Sequence, residues 1–375
     1  MSGLLQEMTE KALARNIPLS LQLDLTYRCN ERCVHCYLDH EDHGEMTTAE
    51  IKDLLDQMAE AGVFVLTLSG GEIFVRKDFF EILEYARLDR QFCVKLKTNA
   101  LMIREREAAR LREIGVESIQ ISIYSHKPEV HDAITLVPGS LKRSLDAARF
   151  LKGQGLRVIF GNVLMVQNLQ DYPGVRALAE ELGAESTIDP TITPMMDGDR
   201  SILSMGIGGD SLRQVFRDKT LVGDVKEFCA VPDPGDASSL SALPCSAGHT
   251  ACYVSPYGDV FPCVQFPLPT GNVRKQRFID IWRYSDRMNE VRSIRLKDLT
   301  TCRSCVHGGS CTRCPGLAYM EGNMRGPSSQ DCEKSFARTG IASANMLAKR
   351  SAAPGLVQIQ VEPMHTEVQP VRAFA

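Results

Sequence analysis

The sequence predicts an α/β protein with a small cysteine-rich domain behind it, and three observations carry that prediction. Short apolar strands alternate with amphipathic helical stretches from residue 20 to about residue 190, the pattern of repeated βα units around a parallel sheet. Cys29, Cys33 and Cys36 crowd into the loop after the first of those strands. A further eight cysteines fall between Cys245 and Cys332.

Taken in order, residues 21–25 alternate apolar and polar side chains, as a strand with one face on a core does. Thr47-Thr48-Ala49-Glu50 has the form of a capping box and opens a helix expected to end near Gly62. Residues 63–68 are almost all apolar or β-branched, which predicts a strand buried on both faces. Further strands are expected at 92–96, 118–123, 158–166 and 185–188, with helices around 79–87, 105–114, 141–152 and 174–182. Parallel sheets of this kind carry their chemistry at the carboxyl ends of the strands, and the cysteine loop lies at such an end.

The 375 residues leave room for one large domain and a smaller one. Lys+Arg 43 against Asp+Glu 47 gives a net charge of −4, which offers no broad footprint for nucleic acid or an anionic membrane. No apolar run reaches the roughly eighteen residues that span a bilayer, and Met1 to Arg15 is a charged amphipathic stretch. Thirteen cysteines in such a chain point to metal ligation in a reducing compartment, hence to a cytoplasmic, oxygen-sensitive protein.

Three thiolates can hold a four-iron cluster and leave one iron open to a small molecule, whereas structural metal sites use four protein ligands. A zinc site here would need His35 or His40 as its fourth ligand. The three-then-two spacing, followed by the aromatic Tyr37, resembles the signature of the radical S-adenosylmethionine (radical SAM) superfamily. That resemblance implies a partial (βα)6 TIM-like barrel and a [4Fe-4S] cluster on Cys29, Cys33 and Cys36 whose open iron chelates SAM. Ser69-Gly70-Gly71-Glu72 follows the 63–68 strand, and paired glycines let backbone approach a ligand closely. One βα unit after the cysteine loop, Gly70, Gly71 and Glu72 resemble the family's element that hydrogen-bonds the SAM amine. Matched by position, the resemblance extends SAM contacts to Thr98, Asn99, Ser122 and Arg143. Thr98 and Ser122 read equally well as barrel hydroxyls bonded to backbone, while the guanidinium fork of Arg143 suits a carboxylate.

Residues 229–243, with Pro232, Pro234 and Gly235 before a serine-rich run, read as a linker. The expected organisation is an extension at 1–19, the barrel at 20–228, the linker, a cysteine-rich domain at 244–337, and a C-terminal helix with a mobile tail at 338–375. An edge strand at 356–361 is the other reading of that tail. Eight thiolates close two fully ligated four-iron clusters, and two zinc sites would close as well. Gly258 with Cys263, then Cys302-x2-Cys305-x5-Cys311, resembles the SPASM extension of radical SAM enzymes, although two residues separate Cys311 from Cys314 where the family usually has three. The resemblance implies one auxiliary [4Fe-4S] cluster on Cys245, Cys252, Cys263 and Cys314 and a second on Cys302, Cys305, Cys311 and Cys332, making three clusters in all. Cys93 reads as a small core residue, and Cys229 has no partner spacing.

The resemblance spans about residues 20–335. It implies an oxidoreductase that reductively cleaves SAM to a 5′-deoxyadenosyl radical and removes a hydrogen atom from its substrate, with a flavodoxin or ferredoxin as electron donor and the auxiliary clusters passing electrons. Proteins of this architecture mostly modify peptides, so maturation of a ribosomal peptide leads. Modification of a tetrapyrrole side chain, as in haem biosynthesis, is the alternative. The sulfatase-maturing branch carries an Asp just after the cysteine of its Gly-x4-Cys element, and Val264 stands there instead, which removes that reaction's general base. Fewer than twenty residues precede the first strand, too few for a winged-helix recognition domain, so a separate small recognition protein is expected. His40, His43, Tyr124, His126 and His131 lie near the cluster loop or a strand end and are further candidates for substrate contact.

Overall fold

The computed structural model describes residues 3–230, 240–308 and 311–352. The expected edge strand at 356–361 and the core of the expected linker, 231–239, lie outside the described residues. Six parallel strands form the frame: β1 Ser20–Thr26, β2 Val65–Gly70, β3 Cys93–Thr98, β4 Ser118–Ser122, β5 Val158–Val163 and β6 Glu185–Asp189. They lie side by side in chain order, so each helix crosses back over the sheet to start the next strand. The helix Thr48–Ala61 begins with the expected capping box between Thr47 and Glu50 and ends at Gly62 in the left-handed region, φ 92°. A helix at Pro128–Thr135, not foreseen in the sequence, follows β4.

The outward faces of these strands make the core. Leu21, Leu23, Leu25, Leu66, Leu68, Val94, Leu96, Ile119 and Ile121 pack with Leu54, Leu55, Met58, Ile82 and Leu111 from the helices in one continuous apolar cluster. The inward faces are polar. β2 therefore departs from the expected burial on both faces: Leu66 and Leu68 are buried while Val65 and Thr67 are half-buried. The physical reason is that the inside of this barrel is a cavity and not a packed core.

The C-terminal region joins this frame directly. β7 Ala251–Val254 pairs parallel with β1, Leu21 against Cys252 and Leu23 against Val254, and β8 Asp259–Phe261 and β9 Gly271–Asn272 extend the sheet antiparallel beyond it. The sheet has nine strands in the order β6-β5-β4-β3-β2-β1-β7-β8-β9. Phe278, Ile281 and Trp282 of the helix Phe278–Tyr284 enter the barrel's own apolar cluster, and the Trp282 indole donates to the Asn16 carbonyl at 2.5 Å. Beyond residue 294 the structure becomes short turns and the helices Pro315–Met320, Ser329–Thr339 and Ala344–Ala352. Among the described residues no helix is long and apolar enough to cross a membrane.

Candidate active site

The cysteine loop leaves β1 at Thr26 and is fastened from two sides. From below, the Gly71 amide donates to the Thr26 carbonyl at 2.8 Å and the Glu72 amide to the Arg28 carbonyl at 3.0 Å. From the side, the Arg32 and Val34 amides donate to the Thr135 and Ile134 carbonyls at 3.2 and 2.9 Å, which gives the unforeseen helix at Pro128–Thr135 a purpose. A Cβ on Gly71 would collide with the Tyr27 and Arg28 carbonyl oxygens, and one on Gly70 with that of Thr26. The glycine pair thus admits the cysteine loop's own backbone, a more local reason than the approach of a ligand.

Cys29, Cys33 and Cys36 open onto a cavity of about 600 Å³ at the carboxyl ends of the strands. Burial pushes the Cys29 thiol up to about 12, with the neighbouring Glu72, Glu31 and Cys36 adding to the effect. Burial also raises Cys33 and Cys36, and Cys33 feels both other thiolates. Three buried thiols whose charged forms would repel one another stay protonated unless a cationic centre deprotonates them, and a thiol that ligates a metal is deprotonated outright. The wall also holds polar atoms with no hydrogen-bond partner among the described residues: Glu31 Oε1, His35 Nδ1, His40 Nδ1 and Asn162 Nδ2. Both observations fit an iron–sulfur cluster carrying a polar ligand.

Of the other residues singled out in the sequence, Gly70, Gly71, Thr98, Asn99 and Ser122 line this cavity. Glu72 is fully buried behind the wall. Its carboxylate accepts from the Thr98 hydroxyl at 2.8 Å, the Asn99 amide at 2.8 Å and the Phe74 amide at 3.0 Å. Asn99 in turn donates to Asn30 Oδ1 at 2.6 Å, inside the cysteine loop. Glu72 therefore ties β3 to the cluster loop. Arg143 is exposed at the start of the helix Ser140–Gly153, its Nε 3.5 Å from the Gly139 carbonyl, and is not among the lining residues. Tyr124 and His40 reach the cavity, whereas His43 pairs with Asp39 at 2.7 Å outside it. His131 sits beneath Tyr124, accepting its backbone amide at 3.1 Å.

Sequence reasoning missed the cavity's polar floor. Gln22, Lys97 and Gln120 come from the inward faces of β1, β3 and β4. Below them the Gln22 amide donates to Asp24 Oδ1 at 2.9 Å, and the Tyr253 hydroxyl donates to Asp24 Oδ2 at 3.0 Å. The Tyr253 and Tyr27 hydroxyls lie 2.7 Å apart. The signal was present: Gln22 and Asp24, Lys95 and Lys97, and Gln120 and Ser122 each repeat at period two within an apolar strand.

The eight C-terminal cysteines separate into two neighbourhoods. Cys263 feels the charge of Cys245, and both Cys252 and Cys314 feel that of Cys263. Cys302 feels Cys305, Cys311 and Cys332. Burial is the first cause that raises Cys252, Cys263, Cys302, Cys311, Cys314 and Cys332, with Cys302 and Cys314 each pushed up to about 11. Backbone amides point at several of the sulfurs, including Ala247 at Cys245, Leu317 at Cys314 and Ala344 at Cys305, each at 3.5 Å. All thirteen cysteines are free of disulfides. Among the described residues no three His, Cys, Asp or Glu side chains converge closely enough for one metal ion, and a four-iron cube sets its thiolates farther apart than a single zinc does. Cys93 is half-buried on β3, and the Cys229 thiol lies 3.6 Å from the Phe216 carbonyl. Val264 and Gln265, directly after Cys263, line the barrel cavity, and Gln265 Oε1 is 3.9 Å from the Cys314 sulfur. The segment directly after Cys263 thus shares the cavity wall with the barrel cysteines.

Comparison with known proteins agrees with this construction. Residues 23–178 match the radical SAM superfamily, and residues 245–306 match SPASM, an iron–sulfur cluster-binding domain. The mycofactocin maturase of Mycolicibacterium smegmatis is 30% identical over 321 residues, 82% of this chain and 80% of that one. The AdoMet-dependent heme synthase of Methanosarcina barkeri is 29% identical over 327 residues, 81% of this chain and 93% of that one. In fold, the crystal structure of Streptococcus suis SuiB bound to S-adenosylmethionine matches with a TM-score of 0.68 at 18% identity, covering 88% of this chain and 81% of SuiB. The chain belongs to the radical SAM superfamily, in its SPASM-bearing branch, and is an enzyme that works with [4Fe-4S] clusters and S-adenosylmethionine.

Proposed function

We propose that this enzyme matures a peptide, installing a crosslink or another oxidative modification on a substrate lodged in the barrel cavity. The observation that carries the reading is the 30% identity with a mycofactocin maturase over four fifths of both chains. When bound, the cluster and SAM supply a 5′-deoxyadenosyl radical that takes a hydrogen atom from the substrate. Cys29, Cys33 and Cys36 hold that cluster, and Gly70, Gly71, Thr98, Asn99 and Ser122 form the wall against which SAM is oriented. Glu72 positions Thr98 and Asn99, and Arg143 stands at the outer edge. Cys245, Cys252, Cys263 and Cys314 hold one auxiliary cluster, and Cys302, Cys305, Cys311 and Cys332 hold the other. Val264 and Gln265, which line the cavity beside Cys263 and Cys314 of the first set, support electron transfer between substrate and the first auxiliary cluster. A flavodoxin or ferredoxin delivers the reducing electron, and a separate small protein presents the peptide. Cysteine ligation throughout the chain suits a reducing, cytoplasmic setting.

The second reading is a tetrapyrrole side chain, favoured by the heme synthase that shares 29% identity and 93% of its own length with this chain. Sulfatase-type maturation is disfavoured because Val264 places no carboxylate at the position where that reaction needs one. Anaerobic purification of the tagged enzyme followed by intact mass spectrometry separates the first two. A co-purifying peptide that turns over supports maturation. Peptide-independent turnover of a porphyrin overturns it. The electron role is tested with Cys332→Ala: 5′-deoxyadenosine release should persist while product disappears, and an undiminished product yield would refute it.

A further inference from the structure

Among the residues that line the cavity, Lys97 is the one lysine, and no arginine joins it. An ammonium has three N–H donors. One of them meets Gln22 Oε1 at 3.2 Å, and no carboxylate reaches ion-pair distance of Lys97 among the described residues. Asp24 feels its charge, but the Gln22 side chain stands between the two. Gln120 is the direct cross-strand neighbour of Lys97. Its amide occupies the space that a Cβ on Gly161 of β5 would fill, so the glycine there keeps Gln120 in the cavity. A cation with donors to spare is thus flanked by two amides that carry no charge.

Lys97 lies on the cavity floor with Gln22 and Gln120, and Val264 and Gln265 line the same cavity. The cavity's two carboxylates belong to Glu31, in the cysteine loop, and to Asp189, at the end of β6.

We propose that Lys97 is a specificity-determining residue whose ammonium, flanked by Gln22 and Gln120 on the cavity floor, receives a carboxylate of the peptide substrate. The inference rests on the peptide reading above and adds the charge that the substrate must carry. Lys97 is exposed to the cavity, and a charge-assisted hydrogen bond that the bound substrate shields from water favours acid over amide by about tenfold or more.

The test is equilibrium dialysis of the reconstituted holoenzyme with SAM and no reductant, so that nothing turns over. The probes are a pool of N-acetyl dipeptides, each offered as free acid and as C-terminal amide, and a propionate-bearing porphyrin offered as free acid and as methyl ester. Native enzyme should hold dipeptide acids at least tenfold better than their amides. The ratio should fall to near one in Lys97→Met and return in Lys97→Arg, with iron content and melting temperature checked for each variant. Lys97→Gln replaces the Met variant if that protein loses iron. An acid preference that survives in Lys97→Met, or is absent from the native enzyme, overturns the proposal. If the porphyrin acid and no dipeptide shows Lys97-dependent retention, the carboxylate anchor stands and the peptide reading falls.

Discussion

The two cysteine assemblies of this chain are held by different physics. The barrel loop sits on a frame that is complete without iron: four backbone hydrogen bonds, from Arg32, Val34, Gly71 and Glu72, fix its course, and the strand beneath it belongs to the large apolar core. The C-terminal cysteines have far less beneath them. Their own apolar cluster is Ala247, Phe266, Leu268 and Val291, and from residue 295 to Cys314 the chain runs through short turns. Within that region there is a gradient. Cys252 lies on a strand paired with β1 and counts among the barrel's core residues, while Cys302 opens a three-residue 3-10 helix and Cys305 and Cys311 lie on loops. Where hydrogen bonds and burial fix the ligands, a cluster is received by a prepared site. Where they do not, ligation itself supplies the folding free energy.

The largest expected effect isolates the prepared site. Cys33→Ala should reduce 5′-deoxyadenosine formation to background, a loss of about 10³-fold or more, because SAM has no open iron to bind. The melting temperature of the barrel should scarcely move, since the bonds that hold the loop are main-chain bonds. A barrel that unfolds in this variant would break the comparison. Next in size is removal of iron from the whole protein. Hydrogen exchange after anaerobic chelation should show amides between Cys302 and Cys332 losing about 100-fold or more of their protection, while β1 to β5 keep theirs. Uniform loss across both regions would show that the barrel also leans on its metal.

A smaller effect tests the fastening of the loop. Gly71→Ala forces a Cβ against the Tyr27 and Arg28 carbonyls, and backbone oxygens there cannot swing aside as a side chain would. We expect a cost of about 2–4 kcal/mol in urea unfolding together with weaker SAM binding by the loaded enzyme. A variant as stable as the parent would mean that the loop is mobile enough to yield, and the contrast between the two assemblies would shrink accordingly.

Much of this was legible in the sequence because the signals were local. The capping box at Thr47, the period-two strands and the cysteine spacings depend on residues close together in the chain, and so did the placement of the barrel loop at a strand end. What escaped was non-local. β7 is four residues long and becomes a strand because the edge of β1 is there to pair with it. Glu72 has the look of an exposed loop carboxylate beside two glycines, and only the fold brings Thr98 and Asn99 onto its oxygens. Lys97 and Asp24 were readable as inward-facing by alternation, yet that the barrel's interior is open, which turns a charged strand residue into a site residue, is a property of six strands together. The apolar run at 63–68 misled for the same reason, since burial on both faces presumes a filled interior.

The smallest effect lies at the seam between the two regions. Asp24 of β1 is fully buried and accepts from Gln22 of the same strand and from Tyr253 of β7. Burial raises its carboxyl from 3.8 to about 6, against the opposing pull of those two hydrogen bonds and of Lys97. A carboxyl whose folded pKa is raised stabilises the native state below the unfolded value, and that contribution is lost as pH climbs through the folded one. At neutral pH the ionised Asp24 is therefore a cost to folding, and Asp24→Asn removes it. The stability gained by the variant should be about 1 kcal/mol larger at pH 8 than at pH 5, and flat above pH 7. Urea unfolding of both proteins across that range measures it. A gain that does not change with pH would mean that Asp24 does not titrate between pH 5 and 8, and that burial does not set its carboxyl near 6 at the seam between barrel and C-terminal region.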